Sequence, residues 1–314
     1  MVGLDDGAAG SPAPSRTHKV RPPAVAGLFY PKEPSQLTRA LDRFLAAAPE
    51  RDATQLRALI SPHAGYEYSG PVAAFGYKLL AGRDYRTVIL LAASHYANFE
   101  GVSVPATDAY QTPLGAVPVS PLARELAKQK PFVLEPCCYV QRPQWSHLAP
   151  KPAPAPGEDT PETWEHSVEV QVPFLQRTLK DFAILPVMFG DADPAVVAQR
   201  LAPLVDDRTL VVTSTDLSHY LAYDDARTRD LRCVQTICDL DCARLTLQEA
   251  CGCLPVLALM HLAKLKGWQP ELLDYRNSGD TAGDKGRVVG YAAIGFFEPG
   301  AADLAPADET TNAA

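Results

Sequence analysis

Three of the seven histidines each follow an apolar, strand-like run. The runs read Arg57-Ala-Leu-Ile-Ser-Pro-His63, Val88-Ile-Leu-Leu-Ala-Ala-Ser-His95 and Leu210-Val-Val-Thr-Ser-Thr-Asp-Leu-Ser-His219. Imidazole is the commonest protein metal ligand and the usual acid or base near neutral pH. Ligands of open α/β sheets bind in the crevice beyond the carboxyl ends of the strands. Three imidazoles delivered to one sheet edge can therefore meet although they lie far apart in the chain.

Other residue pairs carry the same kind of chemistry. Asp216 and His219 are three positions apart, so a helical turn there would let the carboxylate orient the imidazole and raise its basicity. Asp216 is equally placed to cap the next helix. His166 and Glu169 have the spacing of one helical face and form a candidate metal or proton-transfer pair. Glu169 in a first turn also suits the helix dipole. Cys251-Gly-Cys253 precedes an apolar helix, where a thiolate is favoured for metal ligation or redox chemistry. Only one of two sulfurs so close together is expected to bind a given ion. His18, His147 and His261 are read as tail, loop and helix-edge residues.

The elements that must position these groups alternate between helix and strand. Helices are expected over Pro34–Ala47, Gly70–Leu80, Pro121–Lys128, His166–Lys180, Pro194–Leu204, Tyr223–Leu240, Cys242–Glu249 and Pro255–Lys266. In the first, Leu37, Leu41, Phe44 and Leu45 follow helical spacing, and Ser35 with Thr38 offers capping chemistry. Further strands are expected over Gly101–Pro105, Gly115–Val119, Phe182–Met188, Glu271–Tyr275 and Val288–Phe297. Short apolar strands between helices imply one α/β domain over 19–298, its mostly parallel or mixed central sheet flanked by helices on both faces. Residues 1–18 and 299–314 read as disordered tails. A proline-rich insertion spans about 140–162 and includes Ala149-Pro-Lys-Pro-Ala-Pro-Ala-Pro-Gly157.

Composition narrows the function classes. The net charge is −8, without a long basic run, which argues against nucleic-acid binding. No apolar stretch approaches the roughly 20 residues of a membrane span, and no secretory signal pattern opens the chain. Seven cysteines without disulfide or zinc-finger spacing fit reduced thiols in a cytoplasm.

The ordered motifs resemble those of the Memo family, whose bacterial and archaeal members are called AmmeMemoRadiSam system protein B. They are Pro23-Ala-Val-Ala-Gly-Leu-Phe-Tyr-Pro31, Ser61-Pro-His-Ala-Gly-Tyr66, Ala93-Ser-His95, Tyr110-Gln-Thr-Pro-Leu-Gly115 and Glu165-His-Ser-Val-Glu169. The series continues through Thr215-Asp-Leu-Ser-His-Tyr220, Cys251-Gly252, Tyr275-Arg-Asn-Ser-Gly-Asp280 and Val288-Val-Gly-Tyr291. That family is similar in fold to the class III extradiol, LigB-type, dioxygenases. The resemblance implies His63, His95 and Cys251 as ligands of iron or copper, with zinc as an alternative. It implies that His219, Asp216, His166 and Glu169 line the pocket as acid–base or positioning groups. A redox reaction on a small-molecule or peptide substrate is expected, as is association with radical-SAM and AMMECR-type proteins. The alternative is a non-catalytic protein that holds metal or peptide in the same pocket. The insertion and the additional thiol of Cys253 depart from the family pattern.

Overall fold

The computed structural model describes residues 19–245 and 250–299. Its largest element is a nine-stranded mixed sheet. Four parallel strands form the middle, in the spatial order Leu56–Ser61, Thr209–Ser214, Thr87–Ala93 and Ala183–Phe189. Val288–Phe297 runs antiparallel beside the first of these, and Val102–Val104 runs antiparallel beside the last. Gln269–Asn277 and His219–Leu221 pair with Val288–Phe297, and Phe132–Leu134 pairs with Val102–Val104.

Successive strand residues point to opposite faces, and both faces are buried here, so the central strands are apolar throughout. Leu59, Val88, Leu90, Leu210 and Val212 face one core cluster; Ala58, Ile60, Ile89, Leu91 and Val211 face the other. The first core is closed by helices Pro34–Ala47, Tyr66–Lys78 and Val172–Thr178 through Leu41, Tyr77 and Phe174. The second is closed by Pro194–Leu201, Tyr223–Cys238 and Cys253–Lys266 through Val197, Ile237 and Leu259. Full burial of one such side chain is worth roughly 1.5–3 kcal/mol. The expected single α/β domain with a helix-flanked mixed sheet is what forms. No helix among the described residues is long and apolar enough to cross a membrane.

Several local expectations change. The first helix spans Pro34–Ala47 as expected, but neither Ser35 nor Thr38 caps it: Glu33 precedes it without a side-chain cap, and the Thr38 hydroxyl donates back to the Pro34 carbonyl. Cys242–Arg244 form a turn, not the start of a helix; residues 246–249 of that expected helix lie outside the described residues, as do 1–18 and 300–314. The helix expected from His166 begins later, as a short 3-10 turn at Glu169–Gln171 that leads into Val172–Thr178. Pro173 sits in the first turn of that helix, where its missing N–H costs nothing.

Candidate metal centre

The sheet register places the candidate residues at one level. Ser214 pairs with Ser61 on one side and with Ala92 on the other, so three parallel strands end together. His63, His95 and Asp216 follow within three residues of those ends. Asp216 fastens the turn after the Leu56–Ser61 strand, its Oδ1 accepting from the backbone N–H groups of His63 at 2.8 Å and Ala64 at 3.3 Å. Its carboxylate thus acts on the His63 turn, ahead of helix Tyr66–Lys78, not as a cap for the segment that follows it.

His63, His95 and His166 converge, each offering one ring nitrogen within 4.8 Å of the others. His63 and His166 are buried, whereas His95 lies at the mouth with 24% of its side chain exposed. The rings of His95 and His166 stack at 5.0 Å, and His63 stands edge-on to both.

Hydrogen bonds fix how two of the rings face the centre. The Ser214 hydroxyl has one proton, which it donates to the Ser167 carbonyl at 2.6 Å. Toward His63 Nδ1, at 2.9 Å, it can then only accept. His63 therefore carries its proton on Nδ1 and turns the Nε2 lone pair inward. Gln171 supports the same hydroxyl, donating to it at 2.8 Å and to the Pro62 carbonyl at 3.0 Å while accepting from Tyr77. His95 donates Nδ1–H to Glu165 Oε1 at 2.9 Å, and its backbone N–H donates to Oε2 at 2.6 Å. The same carboxylate accepts the backbone N–H groups of His166 and Ser167. A carboxylate behind a histidine fixes the ring and raises its basicity as a ligand.

Charge follows this wiring. Burial holds His63 well below its ordinary pKa and lowers His166 to about 4, so both stay neutral. Burial opposes charge on His95 too, but Glu165 and Cys251 carry it well above its ordinary value. Burial alone would raise Glu165; the neighbouring His95 and His166 hold it well below the usual carboxylate range.

Cys251 joins the cluster from a separate segment. Its Sγ lies 3.3 Å from His63 Nε2 and accepts the Asp216 backbone N–H at 3.2 Å. Gly252 makes that approach possible: a Cβ there would meet the Ser214 carbonyl oxygen and Thr215 Cβ at 2.8 Å. Cys253 is buried as part of the second core cluster. Cys251 is the thiol that contacts His63.

Two expected site residues stand elsewhere. Because His166 precedes the 3-10 turn, it does not share a helical face with Glu169. The Glu169 carboxylate instead pairs with buried Arg21 at 2.6 Å and accepts from Ala24 N, Val25 N and the Tyr30 hydroxyl. His219 is exposed and lines a cavity with Cys251, on the outer side of the cluster. Glu165, Ser214 and Gln171 were not singled out from the sequence. The signal for Glu165 was faint: an acidic residue between Trp164 and His166 in a run that is buried throughout.

The proline-rich segment helps wall the cluster. Trp145 packs against Phe29, Tyr96 and Trp164, while Phe29 and Tyr96 contact the His166 ring. Arg142 and the Trp164 indole both donate to Asp159, which ties that segment down.

The donor set fits a metal ion. Three imidazoles offer nitrogens within 4.8 Å of one another, the Cys251 sulfur lies 3.3 Å from His63 Nε2, and buried His166 Nδ1 has no hydrogen-bond partner among the described residues. An α/β domain with a histidine cluster at its strand ends is thus a candidate metal-binding protein. The family model described as Memo-like protein matches residues 21–295, so the chain belongs to the Memo family. It is 32% identical to a MEMO1 family protein of Aquifex aeolicus, over 89% of this chain and 100% of that one. It is 36% identical to a MEMO1 family protein of Methanosarcina barkeri, over 88% of this chain and 99% of that one. Among solved structures it is similar to an uncharacterized protein from Escherichia coli K12, with TM-score 0.47, 15% identity and coverage of 77% and 99%.

Proposed function

We propose that the protein is a metal-dependent redox enzyme whose ion, iron or copper, is held by His63, His95 and Cys251, with His166 at the same centre. The observation that carries this reading is the pair of imidazoles whose Nδ1 positions are committed to Ser214 and Glu165. Their Nε2 atoms are left for a ligand, beside the Cys251 sulfur. Nitrogen with soft sulfur favours copper(I), zinc or thiolate-bound iron over calcium or magnesium.

The bound ion would supply one-electron chemistry. The chain's own residues do the rest. Glu165 and Ser214 hold two ligands in one tautomer. His166 presents a neutral ring. His219, exposed beside Cys251, takes or delivers the substrate's proton. Trp145, Phe29 and Tyr96 keep water from the far side.

Elemental analysis of protein purified without oxygen tests the reading, with His63→Ala and His95→Ala in parallel. Near-stoichiometric iron or copper, lost in both variants, supports it, and oxygen consumption with a reductant would extend it to turnover. Zinc alone, without redox activity, would instead favour a hydrolytic site. Stoichiometric metal in both variants would remove the assignment.

A further inference from the structure

A cavity of about 500 Å³ opens beside the turn that follows His63, with Ala64 in its wall. Three tyrosines from three elements line it: Tyr68 from the first turn of helix Tyr66–Lys78, Tyr220 from the edge strand His219–Leu221, and Tyr291 from the strand Val288–Phe297. Tyr68 and Tyr220 are exposed, whereas Tyr291 is 2% exposed. Tyr220 is held at φ 60, where the pairing of its strand with Val288–Phe297 shifts register. Left-handed backbone is uncommon for a bulky residue, and a bulge of this kind re-aims a side chain. The Tyr291 hydroxyl makes no hydrogen bond among the described residues. Burial first, then Asp216, Tyr68 and Tyr220, raise its pKa well above the ordinary phenol value, so it stays neutral. Two carboxylates stand at the same cavity. Glu67 is exposed and has neither a hydrogen bond nor an ion pair on its side chain among the described residues. Asp284 accepts from Gly286 N at 2.9 Å. The basic side chain in the lining, Arg287, lies over the Tyr220 ring, 5.2 Å from its centroid.

We infer that this cavity binds a methylated ammonium group, its charge balanced by Glu67 and Asp284 and its methyl groups packed on the rings of Tyr68, Tyr220 and Tyr291. The faces of aromatic rings attract cations, and cages of such rings take quaternary ammonium groups. Arg287 shows that attraction within the chain, since its guanidinium has settled on the Tyr220 ring. Two carboxylates against one guanidinium leave the lining net negative, which disfavours an anion. The helix terminus at Glu67 has the opposite preference. Its first amides are already engaged, however: Tyr66 N donates to the Phe29 carbonyl and Tyr68 N to that of Gly65. The volume suits a small ligand or one side chain. The cavity meets the histidine cluster at one turn, where Asp216 Oδ1 accepts the N–H groups of both His63 and Ala64. No residue assigned to the ion lines it, so the inference stands apart from the metal reading.

Calorimetric titration of the full-length protein provides the test, before and after treatment with a chelator. The probes are choline, its uncharged isostere in which carbon replaces the nitrogen, a trimethyl-lysine peptide, and benzoate as an anion. Choline should bind saturably at one equivalent, at least tenfold tighter than the isostere, and equally well with and without metal. Tyr68→Leu, which keeps apolar surface and removes the ring, should weaken choline about two- to fivefold. Glu67→Gln should weaken it more, and Arg287→Gln, which removes the competing cation, should strengthen it. Tyr68 and Glu67 are exposed, so these variants fold as the parent does. Tighter binding of choline than of the peptide would identify a small molecule as the source of the ammonium group, and the reverse a protein side chain; either supports the cation assignment. Equal binding of choline and its isostere, or choline binding indifferent to both Glu67→Gln and Tyr68→Leu, would overturn the inference. So would benzoate binding that is lost in Arg287→Gln while choline does not bind. Choline binding that disappears with the metal would place the ligand at the ion and overturn the assignment to this cavity.

Discussion

Glu165 grips His95 twice, taking its backbone N–H on one carboxylate oxygen and its ring Nδ1–H on the other. The contact spans 70 positions of sequence and makes the direction of the His95 ring a property of the segment that carries His166. Because two further backbone donors converge on the same carboxylate, an amide cannot replace it without turning an N–H group toward another donor. Glu165→Gln should lower metal affinity by about 10- to 100-fold. A competition titration against a chromogenic chelator measures this, and unchanged affinity would mean that the carboxylate does not act through His95.

Ser214 plays the matching part for His63. Replacing it with alanine strands two buried donors, His63 Nδ1–H and one N–H of the Gln171 amide. Each unsatisfied buried donor costs about 1–3 kcal/mol, so Ser214→Ala should unfold at clearly lower denaturant concentration. It should also bind metal less tightly, because the His63 tautomer is no longer imposed. Equilibrium urea unfolding and the same chelator titration read the two effects separately.

Glu169 is bound up with folding through Arg21. Breaking a buried ion pair from one side leaves the other charge uncompensated, at about 3–5 kcal/mol. Glu169→Gln should therefore destabilise strongly, while metal affinity per folded molecule stays within a few-fold of the parent. Normal stability combined with a specific loss of turnover would return Glu169 to the catalytic pocket.

Buried neutral histidines make the metal-free protein sensitive to acid. His166 has a folded pKa of about 4 against an ordinary 6.5, so the unfolded chain takes up a proton that the folded one refuses. Its contribution is fully present above pH 6.5 and is lost as pH falls from there to about 4, to the extent of about 3 kcal/mol. His63 acts in the same direction. His95 acts oppositely: with a raised folded pKa, its contribution is complete below 6.5 and disappears only as pH rises through the folded value. Urea unfolding of metal-free protein between pH 7 and 4 should show the fall, and His166→Asn should flatten it.

The parts of this arrangement visible in sequence were those built from local pattern. Apolar runs such as Val88–Ala92, closed by Ser94 and His95, announced strands buried on both faces and a common edge beyond them. Val288–Phe297 and Pro34–Ala47 were legible for the same reason, since their periodicity and boundaries lie within the segment. Glu165 and Ser214 were not legible because their importance comes from partners 70 and 151 positions away. The position of Cys251 rested on family resemblance: nothing in Cys251-Gly-Cys253 distinguishes the two thiols until Gly252 is seen pressed against Thr215. His166 and Glu169 have helical spacing, but the chain becomes regular only at Glu169, so the two side chains part toward different partners.

The most direct test of the metal centre is the metal content of anaerobically purified protein beside Cys251→Ser and Cys253→Ser. One equivalent of iron or copper is expected in the parent and in Cys253→Ser, with most of it lost from Cys251→Ser. Equal metal in all three proteins, or none in the parent after anaerobic loading, would contradict a centre built from His63, His95 and Cys251.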